Sequence, residues 1–256
     1  MNRILEKYQA GEPSLGTFTH MRSGVAVEAL GAAGLDYVVL DMEHCALGPE
    51  TMAECITAAG AAGLDALVRV GAISREAVLR PLDLGAAGII VPAVETVEEV
   101  RQLVRFAKFP PLGNRGFCPT RDGLWGFDQA SLAGTEAYMD RSNRETLLLP
   151  QCETAGCLAR IEEIAAMDGV DGIFVGPLDL SIALGCPMEL DAPPMRAALE
   201  RVVAACQAVH KPVLIFCGDA AAAKVRLSQG FHCVALGVDV LTLIQGFQAM
   251  AREIRG

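Results

Sequence analysis

Short, almost unbroken apolar runs alternate along this chain with longer stretches in which apolar residues recur at helical spacing. Residues 15–19, 36–41, 66–70, 88–91, 146–151, 173–175, 212–216 and 231–236 read as strands. Residues 23–33, 49–62, 74–84, 96–108, 128–143, 154–167, 193–210, 220–229 and 240–255 read as helices, and residues 1–13 as a short polar helix and a linker ending at Pro13. Strands that are apolar on both faces belong to a parallel sheet covered by helices. Eight strand–helix units in 256 residues favour a closed (β/α)8 TIM barrel over an open doubly wound sheet. One domain across residues 1–256 is therefore expected. The first strand is not followed by Gly-x-Gly-x-x-Gly, which weighs against a dinucleotide site. One segment breaks the rhythm: residues 109–127, rich in Pro and Gly, form a long loop, and loops of that length in compact domains usually carry function.

Composition narrows the picture. The formal net charge of −10 argues against nucleic acid, whose phosphates need a basic face. Nine scattered cysteines without a Cys-x-x-Cys pair point to reduced thiols and a cytoplasmic setting. Residues 1–11 are polar and lack the apolar stretch of a signal peptide. No apolar run approaches the roughly 18 residues of a membrane span, so no membrane partner is expected.

In such a barrel, reactive groups stand at the carboxyl ends of the strands. Strand two ends in Asp41, Glu43 and His44; strand three carries Arg69; strand five ends in Gln151 and Glu153; strand six runs into Gly176, Pro177, Leu178 and Asp179. Glu153 and Asp179 each fit a helix-capping acid. Together, on neighbouring strands, they suit one hard divalent cation, with other positions left to water and substrate. A turn that exposes backbone N–H groups favours an anion, whereas Asp179 at the same turn is itself anionic. A cation between them reconciles the two. Arg69, inside an apolar strand, needs an anionic partner: either a structural salt bridge or a substrate oxygen. His44 could be structural, or an acid/base oriented by Asp41 or Asp83. His20, just after strand one, could also line the site. A divalent ion, an arginine and a helix N-terminus together suit a 2-oxo acid and the enolate derived from it. The four lysines, Lys7, Lys108, Lys211 and Lys224, all lie away from strand carboxyl ends, which counts against a Schiff-base lysine.

Six stretches, in order over nearly the whole chain, resemble the HpcH/HpaI aldolases, metal-dependent class II pyruvate aldolases. They are residues 40–44, 68–70, 82–85, 109–116, 151–154 and 169–181. The resemblance implies reversible cleavage of a 4-hydroxy-2-oxo acid to pyruvate and an aldehyde through a metal-stabilised enolate. It implies Glu153 and Asp179 as ligands of Mg²⁺, Mn²⁺ or Co²⁺, Arg69 as enolate stabiliser and His44 as base held by Asp41 or Asp83. Gln151, Gly176, Pro177 and Leu178 would contact substrate. It also implies a homo-hexamer, a trimer of dimers, with the last helix exchanged between paired subunits. Alternatives are a CoA-thioester lyase of the citrate lyase β-subunit or malyl-CoA lyase type, which the low Lys/Arg content disfavours, and a non-catalytic barrel binding a 2-oxo acid. The chain departs from the family pattern at Leu178, where a small residue is common, and at residues 116–125. The 109–127 loop is expected to meet the aldehyde end of the substrate.

Overall fold

The computed structural model describes residues 2–256. The strands are β1 (Ser14–Thr19), β2 (Tyr37–Asp41), β3 (Asp65–Arg69), β4 (Gly88–Val91), β5 (Leu147–Cys152), β6 (Ile173–Val175), β7 (Val213–Cys217) and β8 (Cys233–Val238). Each pairs in parallel with the next, and β8 pairs with β1, closing the barrel. The helices of the first half are α1 (Arg3–Ala10), ahead of β1, then α2 (Gly24–Ala32), α3 (Pro49–Ala61), α4 (Arg75–Asp83) and α5 (Val97–Ala107). Before β5 come α6 (Gln129–Ala133) and α7 (Thr135–Glu145). The second half carries α8 (Ala155–Ala159), α9 (Ile161–Ala166), α10 (Pro177–Ala183), α11 (Pro193–Ala208), α12 (Ala220–Ser228) and α13 (Asp239–Arg255).

The unbroken apolar runs have their physical reason in two cores. Phe18, Tyr37, Val39, Leu67, Ile90, Leu149, Phe174 and Leu214 fill the barrel interior, while the alternate strand residues, Val38, Leu40, Val68, Ile89 and Ile215 among them, pack under the helices. The opening helix is more than a polar lead-in. Asn2 caps α1, accepting from the N–H groups of Ile4 and Leu5, and its Nδ2 donates to the carbonyls of Ala87 and Glu145. Ile4 is thereby driven into the barrel interior as a plug at the amino ends of the strands.

Two segments expected as single helices are each broken. Residues 128–143 divide into α6 and α7 at Gly134, whose φ of 125° a side chain would resist. Residues 154–167 divide into α8 and α9 at Arg160. The 109–127 loop also lies elsewhere than expected. It joins the end of α5 to α6 and α7 ahead of β5, at the amino ends of the strands, and Arg115 within it bonds to Asp83 at the end of α4. Within one chain it stands on the face opposite the strand carboxyl ends and does not reach a substrate there.

At the seam between β8 and β1 a single carboxylate gathers the chain. Asp239, at the start of α13, accepts from the Thr19 hydroxyl and from the backbone N–H groups of His20, Met21 and Val240. Beyond that anchor α13 stands out from the barrel, with Leu241, Leu243, Ile244, Phe247, Met250 and Ile254 exposed. Among the described residues no helix is long and apolar enough to cross a membrane.

Candidate active site

A cavity of about 350 Å³ opens at the carboxyl ends of the strands, lined by residues of β1, β3, β5, β6, β7 and β8 and of the turns after β1, β2 and β6. Its floor is aromatic: Phe18 meets Phe174 and Phe216 edge-on, each with ring centroids 5.9 Å apart. The Arg69 guanidinium carbon lies 4.9 Å above the Phe18 ring, a cation–π contact that holds the arginine head toward the mouth.

Arg69 is fixed further by a fork to Asp41, with Nε 2.9 Å from Oδ1 and Nη2 2.7 Å from Oδ2. Registry explains the pairing, since Asp41 and Arg69 are direct partners across β2 and β3. Burial alone would raise the Asp41 carboxyl. The hydrogen bonds and charge of Arg69, helped by the N–H groups of Glu43 and His44, outweigh burial and hold it below the usual carboxylate value. Glu43 Oε2 lies 3.1 Å from Arg69 Nη1, yet this buried oxygen makes no hydrogen bond.

The second half of the site comes from β5 and β6. Glu153 follows β5; its Oε1 accepts from the Ala93 N–H at 2.7 Å and its Oε2 accepts from Gln151 Nε2. Asp179 is exposed in the first turn of α10. Gly176 between them is required by space: a Cβ there would come within 2.6 Å of Glu153 Oε2 and 2.7 Å of Gln151 Nε2. Burial raises the Glu153 carboxyl, the bonds from Ala93 and Gln151 oppose this, and the charges of Glu43 and Asp179 add to the rise. Burial raises Glu43 too, against the pull of Arg69, and Asp41 and Asp179 again contribute.

Three carboxylates thus press on one another across the mouth, and the buried Gln151 Oε1 and Glu43 Oε2 have no hydrogen-bond partner. Like charges with spare oxygen lone pairs are the donor chemistry of a hard divalent cation, so the residues fit the expected metal. Among the described residues no three His, Cys, Asp or Glu side chains are grouped to hold a metal by themselves. Glu153 and Asp179 would act as a pair, leaving positions to water and substrate.

Most of the residues expected from sequence meet here: His44, Arg69, Gln151, Gly176, Pro177, Leu178 and Asp179 line the cavity, with Asp41 and Glu153 directly behind. Two expected pairings do not form. Asp83 ends α4, which runs antiparallel to the strands, and it binds Arg115 Nη2 at 2.9 Å at the opposite face. It does not orient His44 within the chain. Asp41 accepts from the His44 backbone N–H at 3.4 Å, not from its ring; the imidazole is 62% exposed with Glu43 Oε2 at 3.8 Å. The imidazole that Asp41 does hold is that of His20, whose Nε2 is 3.0 Å from Oδ2. Sequence reasoning left Glu43 without a role and overlooked the aromatic floor. Counting alternate positions back from the strand ends would have pointed inward at Phe18, Phe174 and Phe216.

A closed parallel barrel with charged side chains gathered at its carboxyl mouth defines an enzyme of the α/β-barrel class. The sequence matches the family described as HpcH/HpaI aldolase/citrate lyase over residues 15–246, and the chain belongs to that family. It is 33% identical to the 2-dehydro-3,6-dideoxy-6-sulfogluconate aldolase of Pseudomonas putida, covering 94% of this chain and 92% of the relative. It is 32% identical to the hydroxypyruvate/pyruvate aldolase of Sagittula stellata, covering 98% and 96%. A crystal structure of an HpcH/HpaI aldolase/citrate lyase family protein from Burkholderia cenocepacia J2315 superimposes with a TM-score of 0.90, at 32% identity and full coverage of both chains. Aldolases are carbon–carbon lyases, and that is the enzyme class of this chain.

Proposed function

We propose that the protein is a metal-dependent class II aldolase that reversibly cleaves a 4-hydroxy-2-oxo acid into pyruvate and an aldehyde. One observation carries the reading: a forked Asp41–Arg69 pair and the Glu153/Asp179 carboxylates converge on a single cavity that also carries two imidazoles and Gln151 above an aromatic floor. A divalent cation such as Mg²⁺, Mn²⁺ or Co²⁺, held by Glu153 and Asp179, would polarise the 2-oxo group and offset the carboxylate charge there.

The chain's own groups supply the rest. Arg69, its orientation fixed by Asp41 and Phe18, faces the oxygen on which charge develops as the C3–C4 bond breaks. The first turn of α10 lends backbone N–H groups without intrahelical acceptors, suited to the substrate carboxylate, and Leu178 narrows the wall beside them. The aromatic floor keeps water from the enolate. Two imidazoles, those of His44 and His20, lie on the cavity wall where the hydroxyl proton must be taken. The exposed apolar face of α13 supports a homo-hexamer, a trimer of dimers whose paired subunits exchange this helix.

The test is a panel of aldehydes incubated with pyruvate and Mg²⁺, Mn²⁺ or Co²⁺, with carbon–carbon bond formation followed by chromatography. Addition products that vanish on chelation with EDTA and return with metal are expected. Undiminished activity in EDTA would sink the metal-dependent reading.

A further inference from the structure

We propose that His20 is a specificity-determining residue: its ring accepts a hydrogen bond from a hydroxyl on the carbon next to the aldehyde group, and so selects 2-hydroxyaldehydes as partners of pyruvate. The proposal rests on the aldolase reading above and leaves the reacting hydroxyl to His44.

Asp41 fixes the ring. Its oxygens accept from Arg69 Nε and Nη2 and from the N–H groups of Glu43 and His44. His20 Nε2 lies 3.0 Å from Oδ2 of the same carboxylate. Although burial opposes its charge, Arg69 keeps Asp41 ionised, and a carboxylate can only accept. The proton of the neutral imidazole therefore sits on Nε2, and Nδ1 carries the lone pair. No hydrogen bond to Nδ1 occurs among the described residues, and the atom is open rather than buried. The ring lines the cavity and is 31% exposed. Its main chain is anchored as well: the His20 N–H donates to Asp239 Oδ1 at 2.8 Å, and its carbonyl accepts from the Cys45 thiol at 3.6 Å. The wall above β1 thus presents a fixed acceptor that nothing in the chain satisfies.

Barrel order places that acceptor at the far end of the substrate. β1 stands opposite β5 in the closed sheet. Glu153 follows β5 and Asp179 follows β6, so the 2-oxo acid end is held there and the carbons beyond C4 run toward β1 and β2. Between the two lies the aromatic floor of Phe18, Phe174 and Phe216. A hydroxyl on C5 of the substrate, which becomes C2 of the aldehyde, finds its partner in His20 Nδ1. An alkyl group in its place strips water from Nδ1 and returns no hydrogen bond, and a site built in this way discriminates against the analogue that lacks the hydroxyl.

The test uses the full-length, Mg²⁺-loaded protein, pyruvate and two aldehydes of similar size. Glycolaldehyde carries the hydroxyl; propanal carries a methyl group in its place. The wild type should favour glycolaldehyde in kcat/KM by about tenfold, the worth of one hydrogen bond. His20→Phe keeps an aromatic ring but has no nitrogen. Its separation from Asp41 bears on both aldehydes alike, so the ratio of the two isolates the hydroxyl contact. Whatever the substitution costs propanal, glycolaldehyde should lose about tenfold more. An unchanged ratio in His20→Phe would overturn the proposal, as would a wild type without preference. Addition products from neither aldehyde would instead defeat the aldolase reading. Nitrogen-15 spectra of the wild type decide the matter even where the variant does not fold. With excess pyruvate present, the Nδ1 resonance of His20 should move on adding glycolaldehyde and stay in place on adding propanal. Equal shifts, or a resting ring protonated on Nδ1 alone, would refute the assignment.

Discussion

The two ends of this barrel handle buried charge in opposite ways. At the amino end, Lys108 is 1% exposed, and its ammonium is surrounded by the carbonyls of Asn143 and Thr146 and by Asp171 Oδ2 at 2.7 Å. Lys211 is capped by the carbonyls of Ala165 and Met167, and Lys7 pairs with Asp36 at 2.6 Å. Cation and acceptor are matched side by side. At the carboxyl end, burial raises Glu43 and Glu153, the charge of Asp179 adds to the rise of both, and Arg69 is forked to Asp41 while also reaching Glu43. The first arrangement completes itself within the chain. The second is built with acceptor capacity to spare, which is how a site for a cation and an anionic substrate differs from a structural ion pair.

The contrast can be broken most severely at Lys108. Lys108→Met leaves Asp171 without its cation and should cost about 3–5 kcal/mol, seen as a lower urea midpoint, while the protein that remains folded turns over normally. Little change in the midpoint would mean that the amino-end pairs are no more structural than those at the mouth. A smaller effect is expected at Gly176. The Ala Cβ displaces the Glu153 carboxylate and Gln151, so Gly176→Ala should weaken Mn²⁺ binding by about 10–100-fold in a calorimetric titration, with scant loss of stability. Unchanged affinity would remove Glu153 from the ligand pair.

The smallest effect tests the amino end where its matching fails. Asp65, which accepts from the Ile4 N–H at 3.1 Å, is raised to about 6, chiefly by burial. Because the folded protein holds this proton more tightly than the unfolded chain, the contribution to stability is full below about pH 4 and is lost as pH rises through about 6. Asp65→Asn should therefore stabilise the protein by on the order of 1 kcal/mol near neutral pH, with no gain near pH 4. An equal change at both pH values would show that ionisation is not the cause.

Much of this was legible in the chain. Strands buried on both faces leave continuous apolar runs, so the barrel and the set of polar strand ends followed directly. What escaped depends on direction. Asp41 sits three residues before His44 in sequence, but it ends a strand and its side chain turns toward the neighbouring β1 and β3, where His20 and Arg69 wait. Asp83 lies in a stretch that matches the family pattern, yet an antiparallel helix carries it to the far face. The 109–127 loop had length and composition suggestive of function, and neither property says which end of a barrel a loop occupies.

Asp239 has a consequence for dynamics. Loop amides just past a strand ordinarily exchange with solvent freely, since little ties them down. Here the amides of His20 and Met21 are held by the same carboxylate that starts α13. These residues therefore open only when the seam of the barrel or the root of the last helix opens with them. The loop that carries His20 thus belongs to the same cooperative unit as the sheet, and any event that loosens α13 at its base is felt at the mouth.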